Sequence, residues 1–378
     1  MILRGARALL PDGTVTVTDV TVEDGRIASL SAGPGPGWRA DGLLVLPGIV
    51  DLHGDAFERQ LMPRPQVHFP ADIALIDTDR QLVANGITTA LHGLTWSWEP
   101  GLRGQAAAEN FLATLEKLRP HLGCDSHVHL RHETYNIDAA DRIEHWLAEG
   151  RLHLLAFNDH LPGFVRRLAN PTKLAQYAER AHMSLEQFAD LVRTTAERAS
   201  EVDPTNRRLA AAARRHGVAL ASHDDADPEM RRHFHGLGCH LCEFPLTRAT
   251  AEESRRLGDA VIMGAPNVVR GGSHLEGGMS AAEMAAAGLV DVLTSDYYYP
   301  ALLHAPFLLA RLGHLPFAQA WRLVSTQPAR LAGFPDRGDI AVGQRADLIV
   351  IDDRDPALPR LVATIVAGRL VFAARAFD

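Results

Sequence analysis

Two textures alternate along the chain. Between residues 46 and 337, apolar runs of strand length are separated by stretches with helical spacing, the βα alternation of a parallel sheet. Eight such runs fall at 48–53, 87–93, 125–133, 152–160, 218–223, 240–244, 260–267 and 290–296. That number and those lengths are what a (β/α)8 barrel needs. Between them, Asp72 precedes a helical set of Leu75, Ile76, Leu82 and Val83 that stops at Asn85-Gly86, and Ser184 with Gln187 forms a capping box opening a helix over 185–200. The ends read differently. Residues 1–45 and 338–378 hold short alternating runs, at 14–18, 20–22, 346–352 and 364–368, between turns such as Pro11-Asp12-Gly13 and Asp24-Gly25. They predict a small composite β-sandwich built from both termini, with the barrel inserted between them. The runner-up, an open doubly wound sheet, wants a glycine-rich phosphate loop after its first strand, and His53-Gly-Asp-Ala-Phe57 is not GxGxxG.

Composition narrows the function classes. Of 378 residues, 46% are hydrophobic and 22% charged, which excludes a disordered chain. Thirty-eight basic against 46 acidic residues give a net charge of -8, which argues against nucleic acid or an anionic membrane as partner. The longest apolar run, 43–50, is broken by Pro47 and Gly48, so no transmembrane helix is expected, and the first residues lack the apolar stretch of a signal peptide. Three cysteines, Cys124, Cys239 and Cys242, do not make a disulfide framework, and a cytoplasmic location is the expectation. A small-molecule substrate fits these features, with homo-oligomerisation left open. The 19 histidines raise the prior on a metal site modestly.

Barrel enzymes carry their chemistry where strands end on the C-terminal face. His53 and Asp55, two apart, share a face of the first strand. In Ser126-His-Val-His-Leu-Arg-His-Glu133, His127, His129, Arg131 and Glu133 point one way, into an interior normally filled by branched apolar side chains. Such groups are costly there unless paired or bound to metal. Strand four ends in Asn158-Asp-His160, strand five in Ser222-His-Asp-Asp225 and strand eight in Thr294-Ser-Asp296. His53, Asp55, Glu133, His160, His223 and Asp296 therefore converge as six ligands for two divalent transition-metal ions, zinc first, with manganese or iron as alternatives. Glu133 is the candidate bridge between the two, and Asp296 the candidate catalytic base, with Asp225 or His274 next in line. Cys239-His-Leu-Cys242 is read as a core strand. Tyr297-Tyr298-Tyr299 is read as pocket lining or rim packing with equal weight.

These residues resemble a known family. Leu46-Pro-Gly-Ile-Val-Asp-Leu-His53 with Gly343-Gln-Arg-Ala-Asp-Leu-Ile-Val350 is similar to the frame of the amidohydrolase superfamily, barrels with a composite β-sandwich and one or two metals. More narrowly, Met62-Pro-Arg-Pro65, His129-Leu-Arg131 with Glu133, Asp159-His160 with Pro162-Gly163, Glu243-Phe-Pro245 and Gly264-Ala-Pro-Asn267 running into Arg270-Gly-Gly-Ser-His274 resemble the phosphonate-metabolism diphosphatases of the carbon-phosphorus lyase pathway. The resemblance implies removal of pyrophosphate from α-D-ribose 1-methylphosphonate 5-triphosphate, a phosphorylated sugar. It also adds Asn267 and His274 to the substrate-binding residues. Many amidohydrolases carry a histidine where Glu243 stands in strand six, which makes His160 the candidate for the remaining nitrogen ligand.

A phosphate-rich substrate also follows from the cations. Arg59 and Arg64 follow strand one, Arg131 sits in strand three, Lys173 follows strand four, and Arg270 is placed in a glycine-rich loop after strand seven. Guanidinium groups bind phosphate oxygens in a fork, and the Gly271-Gly272 backbone brings N–H groups close to an anion. The expected chemistry is attack of metal-activated water on a phosphoryl centre, with Arg270 and its loop holding the distal phosphates. Two alternatives stand beside it: an amidohydrolase opening a cyclic amide or removing an N-acyl group, which needs no phosphate binders, and a metal-free barrel serving as an assembly subunit, which would show lost ligands.

Overall fold

The computed structural model describes residues 1–64, 66–273 and 278–374. Eight strands form the terminal sheet: β1 (Ile2–Leu9), β2 (Val15–Glu23), β3 (Arg26–Ser29), β4 (Trp38–Arg39), β5 (Leu44–Pro47), β14 (Leu348–Asp352), β15 (Arg360–Val366) and β16 (Arg369–Ala373). Their order is β16-β15-β14-β5-β1-β2-β3, with β4 beside β1, so strands from the two ends of the chain meet where β14 pairs antiparallel with β5. Leu3, Ala8, Val45, Leu348, Val350 and Ile365 supply its core. The runs at 14–18 and 20–22 form one strand that pairs with β1 on both sides of a register shift at Asp19, whose carboxylate accepts from Gly5 N–H (2.9 Å).

The other eight strands are β6 (Ile49–Gly54), β7 (Ile87–Trp96), β8 (Asp125–Glu133), β9 (Leu154–Asn158), β10 (Ala219–His223), β11 (Leu241–Glu243), β12 (Ala260–Gly264) and β13 (Val292–Thr294). All are parallel and lie in chain order from β6 to β13. The ring closes at its C-terminal rim, where Asp296 N–H donates to the His53 carbonyl (2.8 Å) and Asp55 N–H to the Asp296 carbonyl (2.9 Å). Gly54 is required at that seam, since a Cβ there would stand 2.8 Å from both Asp51 Oδ2 and Ser295 Oγ. This is a (β/α)8 barrel. Val50, Leu52, Leu91, Leu154, Ala221, Leu241, Ile262 and Val292 pack its interior, so the lower barrel is a filled core and not a pore.

Local chemistry moved some boundaries. The strand expected over 260–267 stops at Gly264, and Ala265–Arg270 is helical, with Pro266 in its first turn and Gly271 at φ +78° ending it. Arg270 is thus the last residue of a short helix and does not lie in a loop. The helix expected to be capped by Asp72 runs Ala71–Ala84 with Pro70 preceding it, so Asp72 lies in its first turn and Ile76 faces solvent. Ser184 and Gln187 form both bonds of the capping box, but their helix ends at Ala196, and the next opens at Ala199. Residues 161–196, between β9 and β10, form a helical insertion with its own apolar core of Leu161, Phe164, Leu174, Ala178, Phe188 and Val192. No helix among the described residues is long and apolar enough to cross a membrane.

Candidate active site

The polar face of β8 is the foundation. Val128 and Leu130 enter the core outside the barrel, so their alternates His127, His129, Arg131 and Glu133 line the lumen from bottom to top. His127 sits low, against Asp125 (3.1 Å) and Phe334. His53 reaches the lumen by another route: a register shift between Asp51 and Gly54 bulges β6 and turns its ring toward His129 and His223, with centroids 5.0 and 5.3 Å away. Gly93 leaves room for it, since a Cβ there would be 3.4 Å from both His53 and Arg131.

Glu243, fully buried at the end of β11, ties the histidines together. Its carboxylate lies 3.2 Å from His53 Nδ1 and 3.3 Å from His223 Nδ1, with Oε2 3.7 Å from His129 Nε2. Burial pushes this carboxyl upward. Burial also lowers His53 to about 3 and His129 to about 4, and drives His223 well below its usual value, with the Arg131 charge acting in the same direction on each. His53 Nε2 is buried without a hydrogen-bond partner among the described residues. An imidazole held at Nδ1 by a carboxylate, with its other nitrogen bare, is set up as a metal ligand.

Two groups of three donors lie at the mouth, each with its atoms within 4.8 Å of one another: His53, Asp55 and Asp296, and His160, His223 and Asp224. Five of the six expected ligands are in these groups. The sixth, Glu133, is engaged otherwise: Oε1 lies 2.5 Å from His160 Nδ1, and Oε2 accepts from the His160 N–H. The Glu133 charge raises His160 to about 9 against the effect of burial; burial raises Glu133, but the His160 charge and bonds outweigh it and hold the carboxyl below its usual value. Between the two groups, Arg131 donates to Asp55 Oδ2 (2.9 Å) and approaches His223 Nε2 (3.2 Å). Asp296 is raised to about 7, by burial first and then by the Asp55 charge. Its φ of +52° is a left-handed strain of about 1–2 kcal/mol, held by the two rim hydrogen bonds. Asp224 has the same conformation (φ +59°). That turn breaks the strand alternation, so Asp224 enters the mouth while Asp225 packs outward against Ser222 (2.8 Å) and Arg231 (3.0 Å).

Two adjoining cavities open above these donors and share Arg131, His223, Asp224 and Leu246. The smaller, about 270 Å³, is lined by Phe244, Met263, Asn267, Met279, Asp296 and Tyr297. The larger, about 650 Å³, runs beneath the helical insertion past Glu133, Asp159 and His160 to Arg103, Arg166, Arg167 and Arg180. Among the expected substrate contacts, Arg131 and Asn267 line a cavity. Asn267 also pins its loop, donating to the Met279 carbonyl and accepting from Ala281 N–H. Arg59, Arg64, Lys173 and Arg270 line neither: Arg59 donates to the Tyr297 carbonyl (2.6 Å), Arg64 lies in an exposed turn beside Val67, Lys173 is exposed in a 3-10 turn, and Arg270 reaches Tyr297 Oη at 3.4 Å. His274 lies outside the described residues. Tyr299 is buried, Tyr298 exposed and Tyr297 lines the cavity, so the aromatic run divides between core, surface and pocket.

A model of the amidohydrolase family matches residues 179–372. Over 324 residues the chain is 36% identical to the alpha-D-ribose 1-methylphosphonate 5-triphosphate diphosphatase of Escherichia coli (strain K12), covering 83% of this chain and 85% of that protein. The chain belongs to the amidohydrolase family. As an amidohydrolase it is a hydrolase, and its solved neighbours share the fold across nearly the full length. An amidohydrolase from an environmental sample of the Sargasso Sea superposes with a TM-score of 0.66 at 18% identity, covering 98% of this chain and 92% of that one. Dihydropyrimidinase from Brevibacillus agri gives 0.65 at 14% identity, covering 100% and 95%.

Proposed function

We propose that this amidohydrolase is a metal-dependent diphosphatase that releases pyrophosphate from α-D-ribose 1-methylphosphonate 5-triphosphate or a close phosphorylated analogue. The observation that carries the reading is the pairing of two donor groups at the barrel mouth with an arginine-lined cavity beside them. A cyclic amide would have no use for that cavity. The relative that is 36% identical and bears the diphosphatase name supports the same choice.

His53, Asp55 and Asp296 on one side, and His160, His223 and Asp224 on the other, would hold two divalent ions, zinc first and manganese or iron as alternatives. Ions bound there supply Lewis acidity and make water available as a nucleophile at neutral pH. The chain's own residues do the rest. Glu243 keeps the Nδ1 protons of His53 and His223 in place and so fixes the tautomer that leaves both Nε2 atoms unprotonated, His53 Nε2 bare and His223 Nε2 facing Arg131 at 3.2 Å. Arg131 offers its guanidinium at the centre, where negative charge grows on the phosphoryl oxygens. Asp296 accepts the proton of the attacking water. The water oxygen bonds to the α phosphorus, the bond to the α–β bridging oxygen breaks, and pyrophosphate leaves with the electron pair.

The test is incubation of zinc-loaded protein with the ribose 5-triphosphate, read by phosphorus NMR. Pyrophosphate and a 5-monophosphate in equal amounts, both absent after chelation, are expected. Orthophosphate alone, or turnover of a cyclic amide with no phosphate ester cleaved, would overturn the reading.

A further inference from the structure

We propose that the helical insertion over residues 161–196 is the pyrophosphate subsite, and that the substrate lies with its distal phosphates under Arg166 and Arg167 and its sugar end in the smaller cavity. This rests on the reading above that a 5-triphosphate is cut between its α and β phosphorus. The charges decide the orientation. Arg103 is already neutralised by a two-pronged pair with Glu58 (2.9 and 2.7 Å), and Arg180 by Glu99 (2.5 Å). Arg166 and Arg167 line the same cavity, and among the described residues neither forms an ion pair. They are the cations with charge to give.

Position favours the same pair. Arg167 and Arg180 lie over the Tyr177 ring at 5.7 and 5.3 Å, which limits where their guanidinium planes can go. The insertion has its own packed core, so it presents these side chains from a folded element. Across Arg131, the smaller cavity is walled by Phe244, Met263 and Met279. That wall also carries Asn267 and Asp296 and no arginine beyond the shared Arg131, which suits a pentose with a singly charged methylphosphonate better than a polyanion. Arg270, expected from the sequence to hold the distal phosphates, stands outside both cavities on the sugar side, beside Tyr297.

Calorimetric titration of the zinc-loaded protein with inorganic pyrophosphate tests the assignment. Arg166→Ala and Arg167→Ala should each weaken binding about tenfold, and the double variant about a hundredfold, the scale of losing charge-assisted hydrogen bonds. Arg270→Ala and the surface control Arg256→Ala should stay within twofold of wild type, with melting temperatures confirming that all five variants fold. A double variant that binds pyrophosphate within twofold of wild type would overturn the subsite, as would a larger loss in Arg270→Ala or a wild-type protein that cleaves the triphosphate yet binds no pyrophosphate. If the wild-type protein releases no pyrophosphate from any 5-triphosphate, the diphosphatase reading itself fails, a result separable from a flat binding pattern in an active enzyme.

Discussion

Replacing Glu243 by Gln isolates the group that organises the site without being one of its mouth-facing donors. The carboxylate accepts from Nδ1 of both His53 and His223 at 3.2 and 3.3 Å, and it is completely buried. An amide of the same shape offers one oxygen where there were two, and an N–H2 group in place of the other. One histidine then faces a donor, and its stable tautomer becomes the one with the proton on Nε2, the atom meant for metal. Losing a partner that orients a ligating histidine typically costs about 10–100-fold in metal affinity, or about 1.4–2.7 kcal/mol. With two histidines served by one carboxylate, the upper end is expected. The assay is equilibration of the zinc-loaded variant against buffers of graded chelator strength, with bound zinc read by elemental analysis. Zinc affinity within threefold of wild type would refute the argument that Glu243 sets the tautomer of both rings.

Three other perturbations probe separate parts of the account. Asp296→Asn should keep the fold and much of the metal while kcat falls about 10²- to 10⁴-fold with KM little changed, the pattern of a lost general base; near-normal kcat at full zinc occupancy would place the base elsewhere, with Asp224 facing the same mouth. Asp125→Asn should destabilise the protein by about 1–3 kcal/mol at pH 7, since Arg337 and Arg345, each 2.6 Å away and largely buried, lose one of their anions and keep only Asp336 and Asp347. Burial raises the Asp125 carboxyl, but His127, Arg337 and Arg345 outweigh it and hold it below 3.8. Its stabilisation is therefore complete above that value and lost as pH falls below it, and denaturant midpoints of wild type and variant should converge in acid; a pH-independent gap would refute the linkage. Gly48→Ala should cost about 1–3 kcal/mol by thermal or denaturant unfolding, because the added Cβ would fall within 2.4 Å of both Thr88 Oγ1 and Cγ2; an unchanged midpoint would show that the β5–β6 junction yields.

The strands were legible because burial forces their patterns. All eight barrel runs overlap an observed strand, and the alternation in 125–133 puts His129, Arg131 and Glu133 on the lumen side as expected. Alternation failed where the backbone departs from it. The bulge in β6 and the left-handed residues Asp224 and Asp296 re-aim single side chains, which period-two reasoning cannot anticipate. Strand alternation therefore points to Asp225 as a base, whereas it is Asp224 that faces the site. Glu243 is a lone carboxylate in the short strand run His240–Phe244, which is itself a signal, since a buried charge demands partners. Arg103 and Arg180 reach the larger cavity from elements whose spacing carries no mark of it. Arg59, Arg64 and Lys173 follow barrel strands in sequence, but that order does not fix the direction of a long side chain in the turns and short helices beyond the strand end.

The most direct measurement of the central claim is the fate of oxygen-18. With the ribose 5-triphosphate in labelled water, attack at the α phosphorus puts one heavy atom in the 5-monophosphate and none in pyrophosphate, visible as an isotope shift in the phosphorus spectrum. That distribution is expected from zinc-loaded wild type, with no label incorporated after chelation. Label in the pyrophosphate would contradict the account, because the water would then have been delivered to the β phosphorus and not to the phosphorus held over His53, Asp55 and Asp296.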